Sequence, residues 1–295
     1  MENKTLLDFI GNTPLIKVQN ILNKQGVSLY LKLEGNNPGG SVKDRAAYNM
    51  IRSAIERNEI KKGDYLIEAT SGNTGIALAM IAQQFEINME LVMPENSTKE
   101  RVQTMQAYGA KVTLTPSEEG IEGSRAYAEK MVEEKDYKML NQFANDDNWK
   151  AHYKTTGPEI WRDTNGEITH FVSAMGTTGT IMGTSTFLKE KNKTIQIIGA
   201  QPTDNSKIPG IRKWSPEFLP KIFNPKKVDQ VIEVSETEAR KMTKILAKEE
   251  GVFAGMSSGG AVTVALKLAK NLKSGIIVAI ICDRGDRYLS SDLFE

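Results

Sequence analysis

The stretch Asp64–Phe85, "DYLIEATSGNTGIALAMIAQQF", decides the fold. "DYLIEA" reads as a short strand, "TSGNTG" as a turn of glycine and hydroxyl residues, and "IALAMIAQQF" as an apolar helix. The same strand-then-helix order holds on either side. Upstream, "SLYLKLE" (Ser28–Glu34) is a strand and "SVKDRAAYNMIRSAIERNEI" (Ser41–Ile60) a helix, with Val42, Ala46 and Met50, and Ala47, Ile51 and Ala54, at helical spacing. Downstream come the strand "MELVM", the helix "TKERVQTMQAYG" stopped by Gly109, and the strand "KVTLT". Successive βα steps of this kind predict an α/β protein with parallel sheet.

A second series begins after a polar, irregular stretch that starts at "NQFAN", and a domain junction is placed near Asn145. It contains the strand "THFVSAM", the turn "GTTGT", the helix "IMGTSTFLKEK" and the strand "IQIIGAQ". The helix "TEARKMTKILAKEEG", the turn "GMSSGG", the helix "AVTVALKLAKN" and the buried strand "GIIVAIICD" follow. The turns Thr70–Gly75, Gly176–Thr180 and Gly255–Gly260 thus share one layout: each follows a strand and opens a helix. Taken singly, such a turn is an ordinary helix cap. Three in one chain favour ligand binding, because a helix start offers free N–H groups to an anion, and parallel sheets collect ligands at their C-terminal strand edges.

Other classes are excluded on chemical grounds. The 295 residues carry a net charge of +1, and no basic stripe with interleaved aromatics is present, which argues against a nucleic-acid partner. No apolar run is long enough to cross a bilayer. The opening "MENKTLLDFIGNTPL" lacks a basic region followed by an apolar run, so no signal peptide is expected. The one cysteine, Cys282, forbids an intrachain disulfide and fits a reducing, cytoplasmic compartment. The glycines of "GTTGTIMG" are spaced wrongly for a dinucleotide fingerprint, and no P-loop occurs. "GMSSG" matches G-x-S-x-G with Ser257 in the nucleophile slot, but an α/β-hydrolase needs its histidine later, and His152 and His170 both lie upstream. Neither histidine has metal-ligand spacing; both are read as structural or surface groups, and no metal site is expected.

Lys43 stands out. It lies in the first turn of a helix, where the macrodipole favours an acid rather than an ammonium. That surrounding, with partial burial, favours the neutral amine, which is a nucleophile able to form a Schiff base. On the helix alone, a solvated lysine offset by Asp44 remains the ordinary reading.

"NPGGSVKDR", "TSGNTG", "GTTGT" and "SSGGA" occur in the order and context found in fold type II pyridoxal-phosphate enzymes. Within them the chain resembles the cysteine synthases (O-acetylserine sulfhydrylases) in "IGNTPL", "NQFAN" and "TTGPEIW". "IPGIRKW" and "ICDRGDRYLS" resemble the B branch, and the likeness runs from about Leu7 to Leu289. It implies two parallel-sheet α/β domains of the tryptophan synthase β-like kind, with the cofactor in the cleft. Residues 1–36 and 146–295 would form the larger, cofactor-binding domain, and 37–145 a smaller mobile one.

The resemblance also implies roles. Lys43 would hold pyridoxal 5'-phosphate covalently and act as the base at the substrate α-carbon. Asn73 would bond the cofactor's ring hydroxyl oxygen, and Gly176, Thr177, Thr178, Gly179 and Thr180 would cup its phosphate. Ser257 would face the ring nitrogen; a neutral hydroxyl there weakens the electron sink and suits β-replacement over transamination. Thr70, Ser71, Thr74 and Gln142 would receive the substrate carboxylate. Arg212 and Cys282, in the branch-specific segments, are expected to flank the entry of the sulfur donor. The activity implied is L-cysteine synthesis from O-acetyl-L-serine and sulfide or thiosulfate, by a homodimer. The alternatives on this fold are an O-phosphoserine-using enzyme, a cystathionine β-synthase-like or serine dehydratase-like enzyme, or a catalytically silent binding or regulatory protein.

Overall fold

The computed structural model describes residues 3–70 and 72–295. In chain order the regular elements are β1 (Leu15–Lys17), β2 (Val27–Leu33), α1 (Lys43–Glu56), β3 (Tyr65–Ala69), α2 (Asn73–Gln84), β4 (Asn88–Pro94), α3 (Lys99–Ala107), β5 (Lys111–Thr115), α4 (Gly120–Glu134) and β6 (Tyr137–Lys138). Then come α5 (Asp146–Lys154), α6 (Thr156–Asp163), β7 (His170–Ala174), α7 (Gly179–Lys191), β8 (Gln196–Pro202), β9 (Gln230–Val234), α8 (Glu236–Glu250), α9 (Met256–Asn271) and β10 (Gly275–Ile281).

Two sheets organise these elements. The larger has the order β1-β2-β10-β7-β8-β9, and the smaller the order β5-β4-β3-β6. All pairings are parallel except β1 with β2, where Leu15 faces Lys32. The early strands β1 and β2 therefore join the sheet built from the last part of the chain, as the resemblance implies. Helices cover both faces, which is why β10 reads as a continuous apolar run. On one face of the larger sheet Val262 and Ala265 of α9 pack with Ala239 and Leu246 of α8; on the other, Ile160 of α6 packs with Ile181 and Leu188 of α7. Ala47, Met50 and Ile51 of α1 pack with Ile76 and Met80 of α2 against the smaller sheet, and Ala128 and Met131 of α4 cover its opposite face.

The elements depart from the sequence reading mainly at their ends. α2 and α9 start inside their glycine turns, at Asn73 and Met256. α1 starts at Lys43 rather than Ser41, because Ser41 forms a β-bridge with Asp283. The stretch after Asn145 is helical rather than irregular: the Asn145 side chain accepts from Asp147 N at 2.9 Å and opens α5. α4, β1, β6 and β9 were not anticipated; they are amphipathic or very short.

A buried ionic cluster sits at the base of α1. Arg45 pairs with Glu34 at 2.6 Å and with Glu159 at 2.6 Å, while Lys32 reaches Glu159 at 2.9 Å. Burial alone would raise the Glu159 carboxyl, but Arg45 and Lys32 hold it down at about 2. The cluster ties α1 to the end of β2 and to α6.

Candidate active site

A cavity of about 950 Å³ opens between the C-terminal ends of the two sheets. Its wall includes Lys43, Thr70, Asn73, Thr74, Gln142 and Arg212. Four segments far apart in sequence converge there, because each leaves a parallel strand at the same edge.

Lys43 is the first residue of α1. The preceding loop is fixed to the end of β10: Val42 N donates to Cys282 O at 2.8 Å, and Gly40 turns the chain at φ +78°. Among the described residues the Lys43 amine makes no hydrogen bond or ion pair. Burial pushes its pKa below the usual lysine value, against the opposing pull of Cys282 and Asp283. The amine is thereby biased to its uncharged, nucleophilic form. Beside it Asp44, the acid the first turn ordinarily favours, accepts from Gly39 N at 2.5 Å.

Asn73 opens α2 with both ends of its amide engaged. Its Nδ2 donates to Asp283 Oδ2 at 2.6 Å, and its Oδ1 accepts from Arg287, which also donates to the Gly39 carbonyl. Tyr288 donates to the same Asp283 oxygen at 2.7 Å. Thr74 Oγ1 donates to Gln142 Oε1 at 2.8 Å, and Thr70 Oγ1 accepts from Gly72 N and Gly75 N at 3.2 Å each. Ser71 lies outside the described residues.

The turn Gly176–Thr178 joins β7 to α7. Thr178 is left-handed, at φ 70°, a strained conformation for a β-branched residue. Its buried hydroxyl has no partner among the described residues. Thr177 Oγ1 accepts from Asn148 Nδ2 at 3.3 Å, and Thr180 Oγ1 lies 3.3 Å from His152 Nε2, so both hydroxyls are held from behind. A Cβ on Gly179 would stand 2.0 Å from Asn148 Oδ1, and one on Gly176 would stand 2.7 Å from Gly210 O. An unpartnered hydroxyl beside the free N–H groups of a helix start is an anion cradle, and these residues fit a phosphate monoester without a basic side chain.

Ser257, in the first turn of α9, is buried beside the Cys282 thiol. The glycine at 210 packs over it: a Cβ there would be 3.3 Å from Ser257 Oγ. Arg212 N donates to Met175 O at 2.9 Å, and its guanidinium lies 5.2 Å from the Trp214 ring centre on the cavity wall. Trp214 Nε1 in turn donates to Gly176 O at 2.8 Å, which pins this loop to the β7–α7 turn.

Cys282, expected to flank the entry of the sulfur donor, is half-buried at the end of β10. Its side chain stands next to Lys43 and Ser257. Burial, reinforced by Asp283, pushes the thiol up to about 12, so it stays protonated. Asp283, Arg287, Tyr288, Asn148 and Trp214 were missed by the sequence reading. Three of them sit in the quoted segment "ICDRGDRYLS", but only the folded contacts reveal their partners. Among the described residues no group of three or more His, Cys, Asp or Glu is placed to hold a metal, and no helix is long and apolar enough to cross a membrane.

A lysine with its pKa pushed down by burial, on the wall of the same cavity as an anion cradle at a helix start, is the arrangement of pyridoxal-phosphate enzymes of fold type II. A family model described as "Pyridoxal-phosphate dependent enzyme" matches residues 6–283. Cysteine synthase B of Pseudomonas aeruginosa is 55% identical over 291 residues, covering 99% of this chain and 97% of that protein. Cysteine synthase B of Escherichia coli is 56% identical over 290 residues, covering 98% and 96%. The crystal structure of the cysteine synthase of Entamoeba histolytica superposes with a TM-score of 0.93 at 37% identity, covering 98% and 90%. The chain belongs to the pyridoxal-phosphate-dependent enzymes and, within them, to the B-type cysteine synthases.

Proposed function

We propose that the protein makes L-cysteine by replacing the acetoxy group of O-acetyl-L-serine with a sulfur nucleophile. With sulfide the β-carbon–oxygen bond breaks, a carbon–sulfur bond forms, and acetate leaves; with thiosulfate the first product is the S-sulfo derivative. Pyridoxal phosphate, when bound, supplies the electron sink that lets the α-proton and the β-substituent depart. The observation that carries this reading is the Lys43 amine at the cavity wall, without a partner among the described residues and with its pKa pushed down by burial.

Each residue has a stated task. Lys43 anchors the cofactor, takes the α-proton at Nζ and returns it after sulfur has added. The α7 start and the Thr178 hydroxyl hold the phosphate, with Gly176, Thr177, Gly179 and Thr180 completing the cup. Asn73 meets the ring hydroxyl oxygen, its amide aimed by Arg287 and Asp283. The Ser257 hydroxyl meets the ring nitrogen without supplying a charge. Thr70, Ser71, Thr74 and Gln142 hold the substrate carboxylate. Arg212 draws in an anionic donor, for which a planar guanidinium is suited. Residues 37–145 act as a smaller domain that closes over the site and excludes water, on the frame of residues 1–36 and 146–295; the separate four-stranded sheet supports that division. Acetate release before sulfur entry makes the kinetics ping-pong. The working form is a cytoplasmic homodimer.

The test is direct. The purified protein is incubated with O-acetylserine or O-phosphoserine, each with sulfide or thiosulfate, and the amino-acid products are identified. Cysteine from O-acetylserine and sulfide is expected, and Lys43→Ala abolishes both it and covalent cofactor attachment. A Lys43→Ala protein that kept its colour and turnover would refute the reading.

A further inference from the structure

One buried acid has no task in the chemistry above. Glu68 lies on β3, two residues before Thr70, and is 3% exposed. Its Oε2 accepts Asn141 N–H at 3.1 Å, and its Oε1 accepts Gln142 N–H at 3.3 Å. Asn141 is left-handed, at φ 55°, so the chain turns sharply where the carboxylate grips it. The next residue reaches the cavity, where Gln142 Oε1 accepts from Thr74. With Oε1 engaged, Nε2 is the end of that amide left to donate. From the far side, Asn148 Nδ2 donates to Gln142 O at 2.7 Å.

We propose that Glu68 is a positioning residue for the amino-acid substrate. Its carboxylate fixes the Asn141–Gln142 backbone from behind, so that the Gln142 amide presents its N–H₂ to the substrate carboxylate. The inference rests on the reading of Thr70, Thr74 and Gln142 as the carboxylate pocket. Two observations support it beyond the contacts. A carboxylate makes stronger bonds to backbone N–H than a neutral group does, which suits a loop that must not shift. The acid is also a liability to the fold: burial pushes it up to about 7, opposed by the N–H groups of Gln142, Asn141 and Leu140 and, of charged groups, by Arg125 on α4. A costly buried acid behind a binding loop points to function rather than stability.

The test uses holoenzyme of the parent, Glu68→Gln and Glu68→Asp, with kcat/KM for O-acetylserine measured from pH 6 to 8.5. A Gln side chain turns an N–H₂ toward one of the two N–H groups. Glu68→Gln is therefore expected to lower kcat/KM for O-acetylserine about tenfold at pH 8, while cofactor absorbance and kcat/KM for sulfide stay unchanged. In the parent, kcat/KM for O-acetylserine falls with a limb near pH 7 as the acid takes up a proton; that limb is absent from Glu68→Gln. Glu68→Asp retains a limb, because the charge remains. An unchanged kcat/KM in Glu68→Gln overturns the proposal, as does an equal loss with both substrates together with an altered cofactor spectrum. Should Glu68→Gln not fold, a parent profile without a limb near pH 7, or a Glu68→Asp profile without one, overturns it too. A parent that makes no cysteine at all is a failure of the reaction assignment, not of this inference.

Discussion

Asp44 shows how much one side chain next to Lys43 is held against its nature. Burial raises its carboxyl to about 7, against the bond from Gly39 N and the charge of Arg287. Its folded pKa therefore lies above its unfolded one. The folded state binds the extra proton between about pH 4 and 7, and the stability this confers is present at acid pH and lost as pH rises through 7. The effect is on the order of 4 kcal/mol over that window. Asp44→Asn should flatten it, seen as a smaller difference in urea midpoint between pH 5 and pH 8. Arg212, by contrast, is expected to matter only for the donor: Arg212→Ala should raise KM for thiosulfate about tenfold and leave sulfide use nearly unchanged, read by initial rates with each donor. Equal effects on both would remove its donor role. At this scale the sequence was informative where a residue sits oddly in its own element, as Lys43 does. It was silent on Asp283, Arg287 and Glu68, whose meaning lies in partners up to 214 residues away, the separation of Arg287 and Asn73.

Among the elements, α7 and α8 make a useful contrast. α7 begins without room to spare, because Asn148 occupies the place a Gly179 side chain would need. Gly179→Ala should displace the helix start and weaken cofactor binding by at least about tenfold, measured by dialysis and cofactor fluorescence. α8 begins with a capping box, Ser235 and Glu238 each satisfying the other's backbone N–H. Ser235→Ala should cost about 1 kcal/mol in unfolding free energy and leave kcat/KM nearly unchanged, since neither Ser235 nor any residue of α8 lines the cavity. Both helices were visible beforehand, α8 from its periodic apolar residues and terminal Gly251, α7 from the turn before it. α5 was not, because its turns carry Asp146, Asp147 and Asn148, and only packing on α1 and α7 makes it a helix.

For the molecule as a whole, the ionic cluster around Arg45 is the rivet between layers. Removing Arg45 leaves buried Glu34 without a counter-ion and Glu159 with Lys32 alone, and Arg45→Ala should destabilise the protein by about 3–5 kcal/mol in chemical denaturation. The exposed pair of Arg52 and Glu56, two helical turns further on, should contribute less than about 0.5 kcal/mol when Arg52 is truncated. The α/β class follows from alternating runs in the chain. The strand order does not, since nothing local in "GIIVAIICD" says that it pairs with β2 and β7.

That order carries a consequence for biogenesis. β10, which follows every other described strand in the sequence, is inserted near the middle of its sheet, and the residue just past it, Cys282, seats the loop before Lys43. Until β10 is made, the nascent polypeptide holds a split scaffold and an unplaced amine. Truncation before Cys282 should therefore yield protein that fails to attach the vitamin, read as absence of cofactor absorbance.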